Sequence, residues 1–580
     1  MYRSAKELPY ELREHCVIYF EEELYSQGLS LLKSLVTAGN STSDPSSTPA
    51  FRPPPQHLAL AATLVVHPTL TTRAASRDRI IASNEALSLL RATLQVFGPT
   101  NANFRAAFAF VGPGGGRRGP SHRRGGGGDE DSPESEDNVD AINTELAKHG
   151  SLWSLGEDFW HVVGWALNCS VAHPHRWARW KLWLDVMLDI LEQDWLDRED
   201  LAAEKASKDA GAESSREIEE IFTTSLIVKY LPTELGRYGG NRRVVRAIFA
   251  DGSAKSMNEF KEVFRNETKE IKKDADTKRN RASRVNVDEE HYGDYFDDDV
   301  DDDIDDVGYA DDASRPPTGL DSSEAEVEKA APRKPDDAST CFGDLESILL
   351  RQRLLALLSS LASTLPTHFT TLESLYSTYV EHLRPLDLPT FSLFTSPTML
   401  PYISSAARSS MTQLLLRSLI SSTAPFPRQP PATPSSTSTG PQQAQQDDLS
   451  QETLEQCFLP YSANTSSVMD NAKVSLLVEA LLRLLDLHVG VTPTPALRDA
   501  VERGIRAREA RAKPSGRRRE DVKRAEDLAG VYLKASAARL RAFVELLCSV
   551  AARDGDRDKE RGAEVGHDDN EVMDNDGSDD

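Results

Sequence analysis

His173 and His175, on either side of Pro174, are the first residues whose chemistry could matter, because imidazoles in close succession are common metal ligands. No third ligand lies near them in sequence, and a helix-entry turn at Pro174 accounts for the pair. The stretch "GGGRRG", Gly114 to Gly119, matches a dinucleotide-binding GxGxxG by letter. It follows no clear strand and precedes no convincing helix, so the phosphate cradle has nothing to stand on. The acidic run "DDDVDDDID" offers carboxylates to a hard cation but lacks the glycine and glutamate spacing of an EF-hand loop. A solvated, self-repelling segment is its plain reading, and an arm for a basic partner its functional one. Walker, HExxH, GxSxG and kinase signatures are absent. We therefore assign no catalytic, cofactor-binding or metal residue and expect a protein that is not an enzyme.

Basic residues gather in two places. Lys261 to Arg284 holds nine Lys and Arg against five acidic residues, and Arg498 to Arg524 holds eleven Lys and Arg. Within them, Lys272, Lys273, Lys278, Arg279, Lys513, Arg517, Arg518, Arg519, Lys523 and Arg524 are candidates for nuclear import or for nucleic-acid contact. A solvated helix face is the alternative for both segments.

Charge is unevenly placed in the chain. Of a net −25, fourteen negative charges fall between Asp288 and Asp312 and seven between Gly566 and Asp580, neither segment having a Lys or Arg, so the rest carries −25 + 21 = −4. The folded part is thus expected to be near neutral, with its acidity held in linkers and tail. Five widely spaced cysteines, Cys16, Cys169, Cys341, Cys457 and Cys548, form no CxxC or Cys/His group and read as reduced intracellular thiols. The charged N-terminus lacks the apolar run of a secretory signal, and no stretch is apolar enough for a membrane span.

The elements that must position these residues are helices. Apolar residues recur at steps of three and four through most of the chain, with almost no alternation of period two. The fold class read from this is all-α: antiparallel helical hairpins stacked as a divergent α-solenoid or bundle, without a repeat consensus. Four helical blocks are expected, at 1–111, 142–265, 341–421 and 451–553. Between and after them lie a Gly/Arg-then-acidic linker at 112–141, a basic-then-acidic insertion at 266–340, a Pro/Ser/Thr/Gln linker at 422–450 and an acidic tail at 554–580, all expected to be disordered. In the first block, Gly28 is expected to break the helix over 8–38, and Ile80, Leu87, Leu90, Leu94 and Phe97 to share a buried stripe.

All seven tryptophans fall between Ser151 and Trp195. Trp177, Trp180, Leu184, Met187, Leu188, Leu191 and Trp195 fall at steps of 3, 4, 3, 1, 3 and 4, on one face of one helix. Trp183, Val186 and Ile190 widen that face until the polar remainder is Lys181, Asp185, Asp189, Glu192 and Gln193. Trp177, Trp180, Leu184, Leu188, Leu191 and Trp195 are therefore assigned to the structural core. A partner groove lined by exposed Trp, or a nucleobase stacking platform, are the alternatives. The functional expectation is a non-enzymatic helical scaffold in a nuclear multiprotein assembly, with no cofactor and with other proteins as partners, including a basic one for the run 288–312. The alternative is a nucleic-acid-binding protein that uses 498–524 and 261–284.

Overall fold

Helices open where a side-chain oxygen stands ready to accept one of the first free amides. Asp158 accepts from the His161 N–H at 2.7 Å, Asp344 from Ser347 at 2.8 Å and Thr494 from Leu497 at 3.0 Å. The computed structural model describes residues 2–39, 48–111, 142–208, 212–232, 237–269, 341–396, 403–420, 449–514 and 519–565. Its helices are α1 (Tyr10–Glu21), α2 (Tyr25–Thr37), α3 (Pro55–Val66), α4 (Arg77–Asn101), α5 (Phe104–Ala107), α6 (Leu152–Leu155), α7 (Phe159–Ala172), α8 (Pro174–Lys208), α9 (Ala212–Thr223), α10 (Leu226–Lys229), α11 (Arg237–Ile248) and α12 (Ala254–Glu259). After the insertion come α13 (Leu345–Thr364), α14 (Leu372–Leu383), α15 (Leu388–Thr395), α16 (Ser405–Leu419), α17 (Gln451–Thr453, continuing as a π-helical turn over Leu454–Phe458), α18 (Val468–His488), α19 (Pro495–Arg511) and α20 (Glu520–Val565).

The fold is all-α, and among the described residues the strands are one parallel pair of three residues each, β1 (Ala5–Glu7) and β2 (Ala50–Arg52), in register Ala5 to Ala50. The described residues up to Thr268 and from Cys341 onward belong to one compact unit. Helix α4 lies against α2, α3 and α8, and α8 against α7 and α13. Towards the C-terminus, α18 packs on α15, α16, α19 and α20. No described helix is long and apolar enough to cross a membrane.

Local details depart from the sequence reading in several places. The break between α1 and α2 falls at Glu22–Leu24, where Glu23 has φ 56°, while Gly28 lies inside α2. Its missing Cβ is required there, since one would stand 2.7 Å from the Phe20 ring. Ile80 is 36% exposed, because α4 turns Ala82, Ser83, Ala86 and Leu90 inward instead. Helix α20 continues to Val565, past the boundary expected at residue 553. Ser450, read as linker, caps α17 by accepting from the Thr453 N–H at 3.1 Å. The linker at 112–141, the acidic run 288–312, most of the linker at 422–450 and residues 566–580 lie outside the described residues.

Candidate interaction surface

The tryptophan helix is the spine of the core. Trp177, Trp180, Leu184, Leu188, Leu191 and Trp195 are buried, and none of the seven tryptophans is more than 4% exposed. That leaves no indole at the surface for a nucleobase or a partner groove. Trp180 meets Trp183 edge-on at 5.8 Å and stacks on Phe264 at 5.9 Å.

The polar edge left on α8 is a seam. Asp185, Asp189 and Glu192 all receive Arg353 of α13, at 2.9, 2.6 and 2.7 Å. Lys181 pairs with Glu346 beside them. A second arginine of the same helix, Arg351, is fully buried and lies 4.2 Å from the Phe342 ring. It donates to the carbonyl of Ile248, the last residue of α11, and at 3.3 Å to that of Leu167 in the last turns of α7. A cation there complements the negative end of α11. Burial pushes the guanidinium down to about 9, which still leaves it charged at neutral pH.

Arg176 and Glu267 form a buried ion pair at 2.5 Å. Glu267 falls inside the 266–340 segment read as a disordered insertion, yet its carboxylate accepts from the Trp180 indole at 3.1 Å and from the amides of Val263 and Phe264 at 3.2 Å. Burial raises its carboxyl above the ordinary value, and Arg176 pulls against that rise. Nothing in the local sequence marks Glu267, because its partner lies 91 positions away.

The histidines and basic residues named from the sequence take modest places. His173 is half-buried beside Trp165, and burial lowers its imidazole, while His175 is exposed. No group of three metal-ligating side chains forms among the described residues. Lys272, Lys273, Lys278, Arg279, Arg517 and Arg518 lie outside the described residues. Lys513, Arg519, Lys523 and Arg524 are exposed around the junction of α19 and α20. Arg508, from the same basic segment, turns inward and donates to the carbonyls of Leu459 and Tyr461 at 3.0 and 3.1 Å.

A cavity of about 510 Å³ opens between the start of α7, the end of α10 and α11, lined by Phe110, Trp160, Tyr230 and three cations. Those cations already have partners. Lys229 donates to the Arg105 carbonyl at 2.6 Å, Arg243 pairs with Glu157 at 3.1 Å and with Asp158, and Arg246 pairs with Glu259 at 2.7 Å.

Helix α20 has two apolar faces. On one, Ala529, Leu533, Ala537, Leu540 and Val544 are buried against the body. Ser475 donates to Ser536 at 2.9 Å, and Glu479 and Glu502 hold Arg539 and Arg541 in two-point ion pairs. On the opposite face, Leu528, Val531, Leu546 and Val550 are 42, 63, 58 and 47% exposed. With Ala535, Ala538 and Ala542 they follow steps of 3, 4, 3, 4, 4 and 4, a continuous stripe along the helix. Beyond Cys548 the helix leaves its packing, and residues 549–553 are exposed on every side. The sequence reading missed this stripe because only the packing of the inner face shows that the outer one is left over.

Comparison with protein-family models, curated proteins and solved structures finds no match to this chain.

Proposed function

We propose that this protein is a non-enzymatic scaffold subunit of a nuclear assembly, and that it holds an amphipathic helix of a protein partner along the outer face of α20. The observation that carries the reading is the exposed stripe from Leu528 to Val550 on a helix whose opposite face is already packed. Apolar side chains presented in phase on a rigid helix are the usual seat of helix-to-helix recognition. The ion pairs of Glu479 with Arg539 and of Glu502 with Arg541, which hold α20 to α18 and α19, support a surface fixed in place. The basic segments support nuclear residence, and the acidic run 288–312 suits a basic partner. Affinity purification of the tagged full-length chain, with nuclease and at roughly 150 and 400 mM salt, tests the reading, since the higher salt screens exposed charge pairs. A stoichiometric protein that survives both treatments and is lost with Leu546→Glu is the expected result. Retention of every partner by that variant overturns it.

The exposure of Lys513, Arg519, Lys523 and Arg524 at one helix junction favours a second reading, nucleic-acid binding. It predicts association that disappears with nuclease and an affinity whose logarithm falls by ~0.9 per phosphate neutralised on duplex DNA.

A further inference from the structure

We propose that the occupant of the outer face of α20 is a second copy of this chain, whose own α20 lies across it antiparallel. The inference rests on the reading of that face as a protein-binding surface and names its partner. The stripe is close to symmetric about a point between Ala538 and Arg539. A two-fold axis there sets Val531 against the partner's Leu546 and Ala535 against the partner's Ala542, and brings Leu528 to within one residue of the partner's Val550. Large residues then cover large ones at each end. Alanines flank the centre, where the Arg539 side chain is drawn aside to Glu479 at 2.7 Å. From Leu528 to Val550 the stripe is about 33 Å long at 1.5 Å per residue, and two such helices bury the ~1,000 Å² a specific interface needs.

Charge chooses the direction. Lys534 and Glu545 stand on the same flank of the stripe, and among the described residues neither has an ion-pair partner. The antiparallel arrangement places Lys534 beside the partner's Glu545, twice by symmetry. A parallel one brings neither of them beside an opposite charge of the partner. Near the axis the remaining cations are already neutralised within the chain, Arg539 by Glu479 at 2.7 Å and Arg541 by Glu502 at 2.8 Å. The arrangement also gives a use to the part of α20 that runs past its own packing, since Val550 is what covers the partner's Leu528.

Sedimentation of the full chain over a range of micromolar concentrations tests this. The expected result is a concentration-dependent species of twice the 64.0 kDa chain mass. Val531→Glu and Leu546→Glu should each give monomer with unchanged helical circular dichroism, because both sites are exposed in the single chain. Lys534→Glu should weaken dimerisation by roughly tenfold, since it turns two attractive pairs repulsive. Lys534→Glu with Glu545→Lys should restore it, which a merely structural role would not do. A dimer indifferent to Val531→Glu overturns the proposal, and so does a monomer at every concentration. In the monomer case, a different protein that co-purifies with the wild type and is lost with Leu546→Glu leaves the protein-binding reading standing. If no protein is lost, both fall.

Discussion

The Arg176 guanidinium sits 2.5 Å from the Glu267 carboxylate, with the two side chains 2% and 0% exposed. Each side-chain nitrogen and oxygen of the pair has a hydrogen-bond partner. Arg176 also donates to the hydroxyls of Thr71 and Thr72 at 3.0 and 3.3 Å and to the Val66 carbonyl at 2.7 Å, so the pair ties α3 and α8 to the chain after α12. Removing one partner leaves an uncompensated buried charge. Glu267→Ala should lower the unfolding free energy by ~3–5 kcal/mol in urea titrations, while the double change Arg176→Met with Glu267→Leu should recover most of it.

Trp180 and Trp183 are both fully buried, but only Trp180 has a partner for its indole N–H, in Glu267 at 3.1 Å. Trp180→Phe therefore withdraws a donor from a buried carboxylate, whereas Trp183→Phe withdraws one that bonds to nothing. The first should cost ~1–3 kcal/mol more than the second when both are measured by chemical denaturation.

His57 is wholly buried, with neither ring nitrogen hydrogen-bonded, and burial pushes its imidazole down to about 3. The unfolded chain takes up this proton near pH ~6.5 and the folded chain only near pH 3, so protonation favours unfolding between those values. The neutral ring's stability is fully present above pH ~6.5 and is lost as pH falls, by ~1.4 kcal/mol per unit from this group. His57→Phe should flatten that part of the profile, read as unfolding free energy at several pH values. An unchanged slope would show that the ring is solvated in the folded chain.

Two glycines should respond in opposite directions to alanine. A Cβ on Gly504 would lie 1.8 Å from the Leu459 carbonyl oxygen, so α19 must move and draw Arg508 away from the carbonyls it caps. We expect a loss of ~3 kcal/mol, the upper end of what overpacking costs. Gly530, inside α20, has nothing within 4 Å of that position. Gly530→Ala should stabilise by ~0.5–1 kcal/mol, visible as a higher Tm.

What the sequence by itself determined is the helical class, the place of most helices and the burial of the tryptophan face. Each of these follows from local periodicity, because side chains three and four apart share a face whatever lies opposite. Trp177 to Trp195 form so wide an apolar stripe that water could not be its neighbour. Tertiary structure alone decided which polar groups go inside and which apolar ones stay out. Arg351 and Arg353 interrupt a leucine-rich helix and look from sequence like its solvent side, yet one caps the end of α11 in the core and the other closes the seam on α8. Glu267 belongs by composition to a charged insertion, and Arg176 and Trp180, far away in the chain, supply the charge and the donor that balance its burial. Gly28 reads as a break until Phe20 is found packed over it. The outer stripe of α20 likewise has the pattern of a core face and became surface only because α18 and α19 cover the other side. Periodicity states that a face is apolar; which element covers it is a matter of long-range pairing, which no local window contains.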